Sequence, residues 1–575
     1  MSECPRILRV AGPLVEVEGF DGAAMNDLIA LGKHASPAEI IAIRGDRLTL
    51  QAYEYTGGLG PGDAAEPLRQ PLSARLGPDL IGGVFDGLLR PLATAATWLT
   101  PGAYQQHDDH RWHFRPAVTV GEEVVAGQVL GSITDCGPLD YRVLVPPTAG
   151  GRVEMIAAED DYPADSVVAT VDGVPVSITT RWPVRIARPF RARSTDIEPL
   201  HTGQRVLDLL FPVAKGGSAA APGGFGTGKT MMLQQLAKWC DADVIVYVGC
   251  GERGNEMADV VAEMSALTDP RTGGRLADRT VIIANTSNMP MMAREASIYT
   301  GVTVGEHFRD MGYHAVVIAD STSRWAEALR EFASRTGELP AEEGYPANLA
   351  SALAAFYERA GAVTTLGGAR GSVTVIGAVS PPGGDLSEPV TTQTERFVRC
   401  RWSLDRDLAY SRHYPAVSWS GSFARDADAL GVTMAAGVDE HWQSHRARVI
   451  EILAESDRLS ALTELVGVDA LPAQQRIALL GGQLLREGVL QQSALSQNDA
   501  YCSPEKTAAL VEAVLAVLDR CRKLVAADIP AARIEELDFG PLIRVREATG
   551  PHDTAAAQSC RDKTLTALAQ LEVSQ

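Results

Sequence analysis

Nowhere in this chain of 575 residues do apolar residues run for the ~20 positions a bilayer-spanning helix needs. A membrane role is therefore expected only through partners. The opening MSECPRILRV likewise lacks an apolar run long enough for a signal peptide. Cysteines are few and scattered, at positions 4, 136, 240, 250, 400, 502, 521 and 560. No C-x-x-C occurs, and no Cys/His cluster has zinc-ligand spacing, so the expectation is buried free thiols in a reducing compartment. Positive charge is in deficit. Lys and Arg total 52 against 72 for Asp and Glu, a formal charge of -20, which repels nucleic-acid phosphates and argues against such a partner. Lysine is missing altogether between His34 and Ala214.

What is present suits a folded protein of several domains: 45% hydrophobic and 22% charged residues over a length that predicts three or four domains. Residues 1–72 read as short strands separated by glycine-rich turns, the pattern of a small β-barrel. Residues 113–187 repeat strand, turn, strand, in the manner of the flattened β-sandwich of biotinyl and lipoyl carriers. A carrier needs a lysine at a hairpin tip, so the missing lysines exclude that function and leave a structural β-insert. In 73–112 and 188–435 the pattern becomes strand, loop, helix. VIVYVGC, TVIIANT, AVVIAD and SVTVIGAVS are apolar runs suited to parallel strands buried on both faces. Residues 436–575 are dominated by long amphipathic helices and read as a helical bundle. The predicted fold class is multidomain α/β and β: N-terminal barrel, sandwich insert, P-loop (RecA-like) parallel-sheet domain and C-terminal helical domain.

GGFGTGKT at 223–230 fits G-x-x-x-x-G-K-[ST]. In such a loop Gly223, Gly224, Phe225, Gly226, Thr227 and Gly228 wrap phosphates with backbone N–H groups, and Lys229 neutralises the outer phosphates. Thr230 offers a hydroxyl to Mg²⁺, and Met231 continues into a helix whose positive end faces the anion. AVVIADSTSR at 315–324 ends an apolar strand in Asp320, placed to hold the water shell of Mg²⁺. GCGERGNE at 249–256 follows another strand and supplies Glu252 to polarise the attacking water. Glu256 is expected at the Mg²⁺ water shell and Arg253 at a phosphate, with a solvated salt bridge as the competing reading of both. His307, His314 and the Met289, Met291, Met292 cluster read as packing residues, and Asp108, Asp109, Asp160 and Asp161 as solvated turns.

With these motifs in place, the sequence resembles the catalytic A subunit of vacuolar/archaeal-type rotary ATPases. The resemblance is carried by FDGLLRPL (85–92), TGQRVLDLLFPVAKGG (202–217), the P-loop, YVGCGERGNEMADV (247–260) and the long run 287–331. It continues through EEGYPANLASALAAFYERAG (342–361), SPPGGDLSEPVT (380–391) and AYSRHYPAVSW (409–419). It covers nearly the whole chain and weakens beyond about residue 505. The resemblance implies ATP hydrolysis or synthesis with Mg²⁺ and ATP/ADP, coupled to H⁺ or Na⁺ movement through a separate membrane sector. It also implies an alternating hexamer with a non-catalytic B-type subunit, an arginine finger from that neighbour, and central and peripheral stalks. Location would be the cytoplasmic face of a bacterial cell membrane. Tyr414 matches the position that stacks on adenine, with a core or interface tyrosine as the alternative. Val489 and Leu495 stand where relatives carry aromatics, so the second wall of the base pocket is expected to be aliphatic. Arg324 matches a family position near the phosphates, and orienting Glu256 is the other role open to it.

Overall fold

Alternation of apolar and charged residues builds the first layer. In Leu14–Glu18, Val15 and Val17 are buried while Glu18 is exposed. A period of two of this kind gives a strand with one wet face. The computed structural model describes residues 5–92, 110–269 and 271–573. Six antiparallel strands follow the order Ile7–Ala11, Leu14–Glu18, Arg47–Ala52, Ser36–Arg44, Asp27–Leu31, Ala65–Pro71. The sheet closes on itself: Ile7 N–H donates to Asp63 O at 2.9 Å and Ala65 N–H to Pro5 O at 2.8 Å. Val15, Val17, Ile29, Leu31, Ile40, Leu48 and Leu50 fill its interior.

The described residues divide into two compact units. One comprises residues 1–194, 242–379 and 392–397; the other comprises 195–241, 380–391 and 398–575.

The first unit holds the closed barrel and the β-insert. Two four-stranded antiparallel sheets form the insert: Glu123–Val124, Gly151–Ile156, Val167–Val171 and Val174–Ser177, then Tyr141–Leu144, Val129–Ile133, Arg111–Pro116 and Asp160–Pro163. Phe114, Leu130, Ile133, Val153 and Val168 are buried among them. Asp160 and Asp161 therefore belong to an edge strand, not a turn. They are exposed, as sequence suggests, but Asp161 also accepts a 2.9 Å bond from His113 Nδ1 across the strand pair. Asp108 and Asp109 lie outside the described residues.

The same unit carries a parallel sheet ordered Arg370–Val379, His314–Asp320, Val244–Cys250, Thr280–Asn285, Val84–Phe85. All residues of Val244–Cys250 and Thr280–Asn285 are buried, as continuous apolar runs require in a sheet covered on both faces. Helix Met291–Asp310 packs on this sheet and buries most of its residues. It carries His307, which is buried with Nε2 at 3.0 Å from the Tyr141 hydroxyl of the insert. His314 is half-buried and bonds Ser372 Oγ at 2.9 Å, so both histidines are packing residues.

The second unit holds the strand Ser218–Pro222, the helix Lys229–Trp239 and the C-terminal helices Trp442–Val466, Ala473–Leu485, Pro504–Ala526, Gly540–Ala548 and Ala555–Val573. Local chemistry sets the start of Pro504–Ala526. Pro504 occupies the first turn, where its missing N–H costs nothing, and Ser503 Oγ accepts from Lys506 N–H at 3.2 Å. Lys506 is buried, and its ammonium donates to the carbonyls of Arg546, Thr549 and Gly550, capping the end of Gly540–Ala548. Of the described cysteines six are buried and unpaired, while Cys560 is half-buried; Cys4 lies outside the described residues. No described helix is long and apolar enough to cross a membrane.

Candidate functional site

The phosphate loop sits in the second unit, between a fully buried strand and a helix. Ser218–Pro222 leads into Gly223, and Lys229 opens the helix Lys229–Trp239. Gly228 turns the chain at φ +81°, a left-handed conformation that side chains resist, and a Cβ there would stand 3.2 Å from Tyr414 Cε1. Thr227 is buried and donates to Gly224 O at 2.8 Å, which cinches the loop. Phe225 is almost fully exposed at the loop tip, and Thr230 lies exposed in the first helical turn. Lys229 Nζ donates a short hydrogen bond to Ser380 Oγ. Backbone N–H groups at this helix start carry the positive end of the helix dipole, which suits an anion.

Beside the loop lies a cavity of about 630 Å³, lined by Gly226, Gly228, Met231, Tyr414, Gln491 and Leu495 among others. Met231 and Tyr414 are each exposed by about two-fifths, and Leu495 is 91% exposed. An apolar ring face with a few polar groups is the usual make-up of a base subsite. Val489 does not supply the aliphatic wall expected of it. It is wholly buried in the π-turn Arg486–Leu490, and its carbonyl accepts from Arg205 Nε at 2.5 Å. The cavity is lined instead by Gln491 to Leu495, which follow that turn.

The carboxylates gather in the first unit, at the carboxyl edge of the parallel sheet. Gly249 and Asp320 are register partners on neighbouring strands, so Glu252 emerges three residues beyond the level of Asp320. Asp320 is 2% exposed and accepts from the Tyr247 hydroxyl at 3.2 Å. Burial foremost, then the charges of Asp320 and Glu252, push the Tyr247 phenol well above its ordinary range, so it stays a donor. Glu252 is half-buried; its carbonyl accepts from Ser287 N–H at 2.9 Å.

Gly251, at φ +75°, is squeezed between Arg324 and Arg294: a Cβ would lie 2.8 Å from Arg324 Cβ and 3.1 Å from Arg294 Cδ. Arg324 pairs with Glu327 at 3.0 Å, a bond that raises its pKa, helped by the charges of Glu252 and Glu256. Arg324 is thus near both carboxylates, but its direct partner is Glu327. Arg253 and Glu256 face each other at 3.8 Å, both well exposed, in the solvated pairing weighed from sequence.

Sequence reasoning missed Ser380, Tyr247 and Arg294. Ser380 is 151 positions from Lys229, and no spacing rule links them. Tyr247 sits inside an apolar run and reads as core. Arg294 offered only a lone charge in MMAREAS.

Comparison with known proteins follows the same layout. Residues 203–424 match the ATP synthase alpha/beta family nucleotide-binding domain, and 7–69 its beta-barrel domain. Residues 105–185 match the barrel-sandwich domain of the ATP synthase alpha and beta chains, and 432–531 the C-terminal domain of V and A type ATP synthase. The chain is 46% identical over 543 residues to the catalytic A chain of the A-type ATP synthase of Haloferax volcanii, covering 93% of this chain and 92% of that one. It is 45% identical to the V-type ATP synthase alpha chain of Nitrosococcus oceani, covering 97% and 96%. Among solved structures, the type III secretion ATPase EscN of enteropathogenic E. coli matches with a TM-score of 0.65 at 20% identity, covering 89% of this chain and all of that one. That likeness is one of fold.

Proposed function

This chain belongs to the ATP synthase alpha/beta family, in its A- and V-type branch, and from that premise we propose how its residues work as the catalytic subunit of a rotary ATPase or ATP synthase. The reaction is ATP + H2O + H⁺(in) = ADP + phosphate + H⁺(out), or its Na⁺ counterpart, run in either direction.

The observation that carries the reading is an intact phosphate loop with Glu252 and Asp320 on a chain alike to these relatives over nearly its whole length. Backbone N–H groups of 223–228 cradle the phosphates. Lys229 leaves Ser380 to neutralise the charge that builds on the terminal phosphate. Glu252 holds and polarises the water that attacks in line, and returns the proton in synthesis. Arg253 reaches the phosphates when it lets go of Glu256. Tyr414 stacks on the adenine, with Met231 and Leu495 as its apolar company. The Thr230 hydroxyl and the Asp320 carboxylate, with Glu256 through water, are hard oxygen donors that fit Mg²⁺, and a buried carboxylate such as Asp320 suits a divalent cation. Magnesium, when bound with the nucleotide, supplies neutralisation of the phosphate oxygens.

The working assembly in this reading is an alternating hexamer with a non-catalytic B-type subunit, which lends an arginine to the site. Central and peripheral stalks connect it to the ion-conducting sector, at the cytoplasmic face of a cell membrane. Glu252→Gln in the assembled complex tests the assignment. ATP binding is retained, and turnover falls by about 10²- to 10⁴-fold. Persisting turnover removes Glu252 from its role.

A further inference from the structure

Past the π-turn Arg486–Leu490, the cavity wall from Gln491 to Leu495 belongs to no helix or strand. An irregular segment holds its shape only if other groups fix it. Here the fixing comes from three charged side chains far apart in sequence. Arg205 and Asp499 have no exposed side-chain surface, and Arg205 Nη1 lies 2.7 Å from Asp499 Oδ1. Arg546, which lines the cavity, donates from Nη1 to Asp499 Oδ2 at 2.5 Å.

The wall hangs on this cluster bond by bond. Asp499 Oδ2 also accepts from Ser493 N–H at 2.8 Å. Arg205 Nη2 donates to Gln491 O at 2.6 Å, and Arg205 N–H to Gln492 Oε1 at 2.9 Å. Gln492 in turn donates from its side chain to Gly203 O at 2.8 Å and from its backbone to Tyr414 O at 2.7 Å. Arg546 Nε holds Glu487 O at 2.8 Å, inside the π-turn. One buried carboxylate thus joins the segment before the P-loop, the cavity wall and the helix Gly540–Ala548.

Burying three charges costs desolvation that an apolar packing of the same shape avoids. What an apolar substitute lacks is directionality: it fixes no carbonyl and no N–H. We propose that Asp499, with Arg205 and Arg546, forms the positioning cluster of the base subsite, setting the Gln491–Leu495 wall that shares the cavity with Tyr414. This rests on the reading of that cavity as the base site. Removing the Asp499 charge leaves two buried guanidinium groups facing each other and frees Ser493 N–H, so the wall loses its placement while the phosphate loop keeps its own supports in Thr227 and Gly224.

The test compares two ligands on the full chain by calorimetric titration with Mg²⁺: ATP, and inorganic tripolyphosphate, which has phosphates but no base. Their affinity ratio reads the base subsite alone. In Asp499→Asn the ratio falls by about tenfold or more, while tripolyphosphate affinity stays within about threefold of the parent. Arg546→Lys, at the open end of the cluster, keeps the charge but not the fork geometry, and shifts the ratio in the same direction. It carries the test if Asp499→Asn does not fold. A ratio unchanged in the folded variants overturns the proposal, as does equal weakening of both ligands. Tyr414→Ala separates the two layers. If it collapses the ratio and Asp499→Asn does not, the positioning claim alone falls. If the parent chain shows no preference for ATP over tripolyphosphate, the base-site reading falls and the proposal with it.

Discussion

Tyr247 donates its phenolic hydrogen to Asp320 across two adjacent parallel strands, 3.2 Å from oxygen to oxygen. The bond is buried, and the phenol is held protonated by burial and by the carboxylates near it. A hydrogen bond to a charged group contributes about 1.5–3 kcal/mol. Tyr247→Phe therefore lowers the melting temperature of the chain and raises the Mg²⁺ concentration needed for half-maximal ATP turnover, because Asp320 loses a fixed donor that orients it. Melting curves and a Mg²⁺ titration check both. An unchanged Mg²⁺ requirement would confine Tyr247 to a packing role.

Gly228 and Gly226 allow a finer experiment. Both have φ near +80°, yet a Cβ on Gly228 meets the Tyr414 ring, whereas one on Gly226 meets nothing within 4 Å. Left-handed strain costs alanine about 1–2 kcal/mol at either position. Gly226→Ala should show that cost alone. Gly228→Ala should lose further ATP affinity, about tenfold in total or more, and part of the loss should return in the double variant with Tyr414→Ala. A double-mutant cycle on ATP dissociation constants reads the difference.

Leu495 lies almost wholly exposed at the cavity it helps to line. An aromatic ring there adds a stacking partner worth about 0.5–1.5 kcal/mol beyond area burial. Leu495→Phe is expected to tighten ATP binding by about two- to tenfold and to leave tripolyphosphate binding unchanged.

Acid should weaken the chain through its buried histidines. Burial, with the charges of Arg486 and Arg546, pushes His413 down to about 4. His307 is pushed down by burial and by Arg188. Both stay neutral in the fold at pH values where the unfolded chain, with its ordinary histidine pKa near 6.5, takes up a proton. Their stability is complete above that value and is lost as pH falls from it towards 4, by about 1.4 kcal/mol per pH unit for each histidine. Melting temperatures between pH 7 and pH 4 should fall steeply in the parent and less steeply in His413→Phe. Equal slopes would mean that His413 is protonated inside the fold.

How far the sequence reached depends on the range over which each feature is determined. The strands Val244–Cys250 and His314–Asp320 were legible because burial on both faces writes a continuous apolar run. The phosphate loop was legible because its chemistry is local: eight consecutive residues specify the turn, the ammonium and the hydroxyl. Asp160 and Asp161 misled because exposed edge-strand residues and turn residues share the same composition, and only pairing with Arg111–Pro116 distinguishes them. Val489 misled because a π-turn rotates its neighbours relative to ordinary helical spacing and leaves it in the interior. The Lys229–Ser380 bond and the Arg205–Asp499–Arg546 cluster were beyond reach, since their partners are up to hundreds of positions apart and carry no shared pattern.

The ring of strands near the start of the chain has one further implication, for handling the protein. Its first strand is held on one side by Leu14–Glu18 and on the other by hydrogen bonds to the segment around Ala65. A version of the protein begun after Ala11 would unzip the cylinder and bare two rims of unsatisfied amides at once. Such rims recruit strands from other molecules, so the shortened product should come out of solution as aggregate, and fusions are better placed ahead of these residues than in their stead.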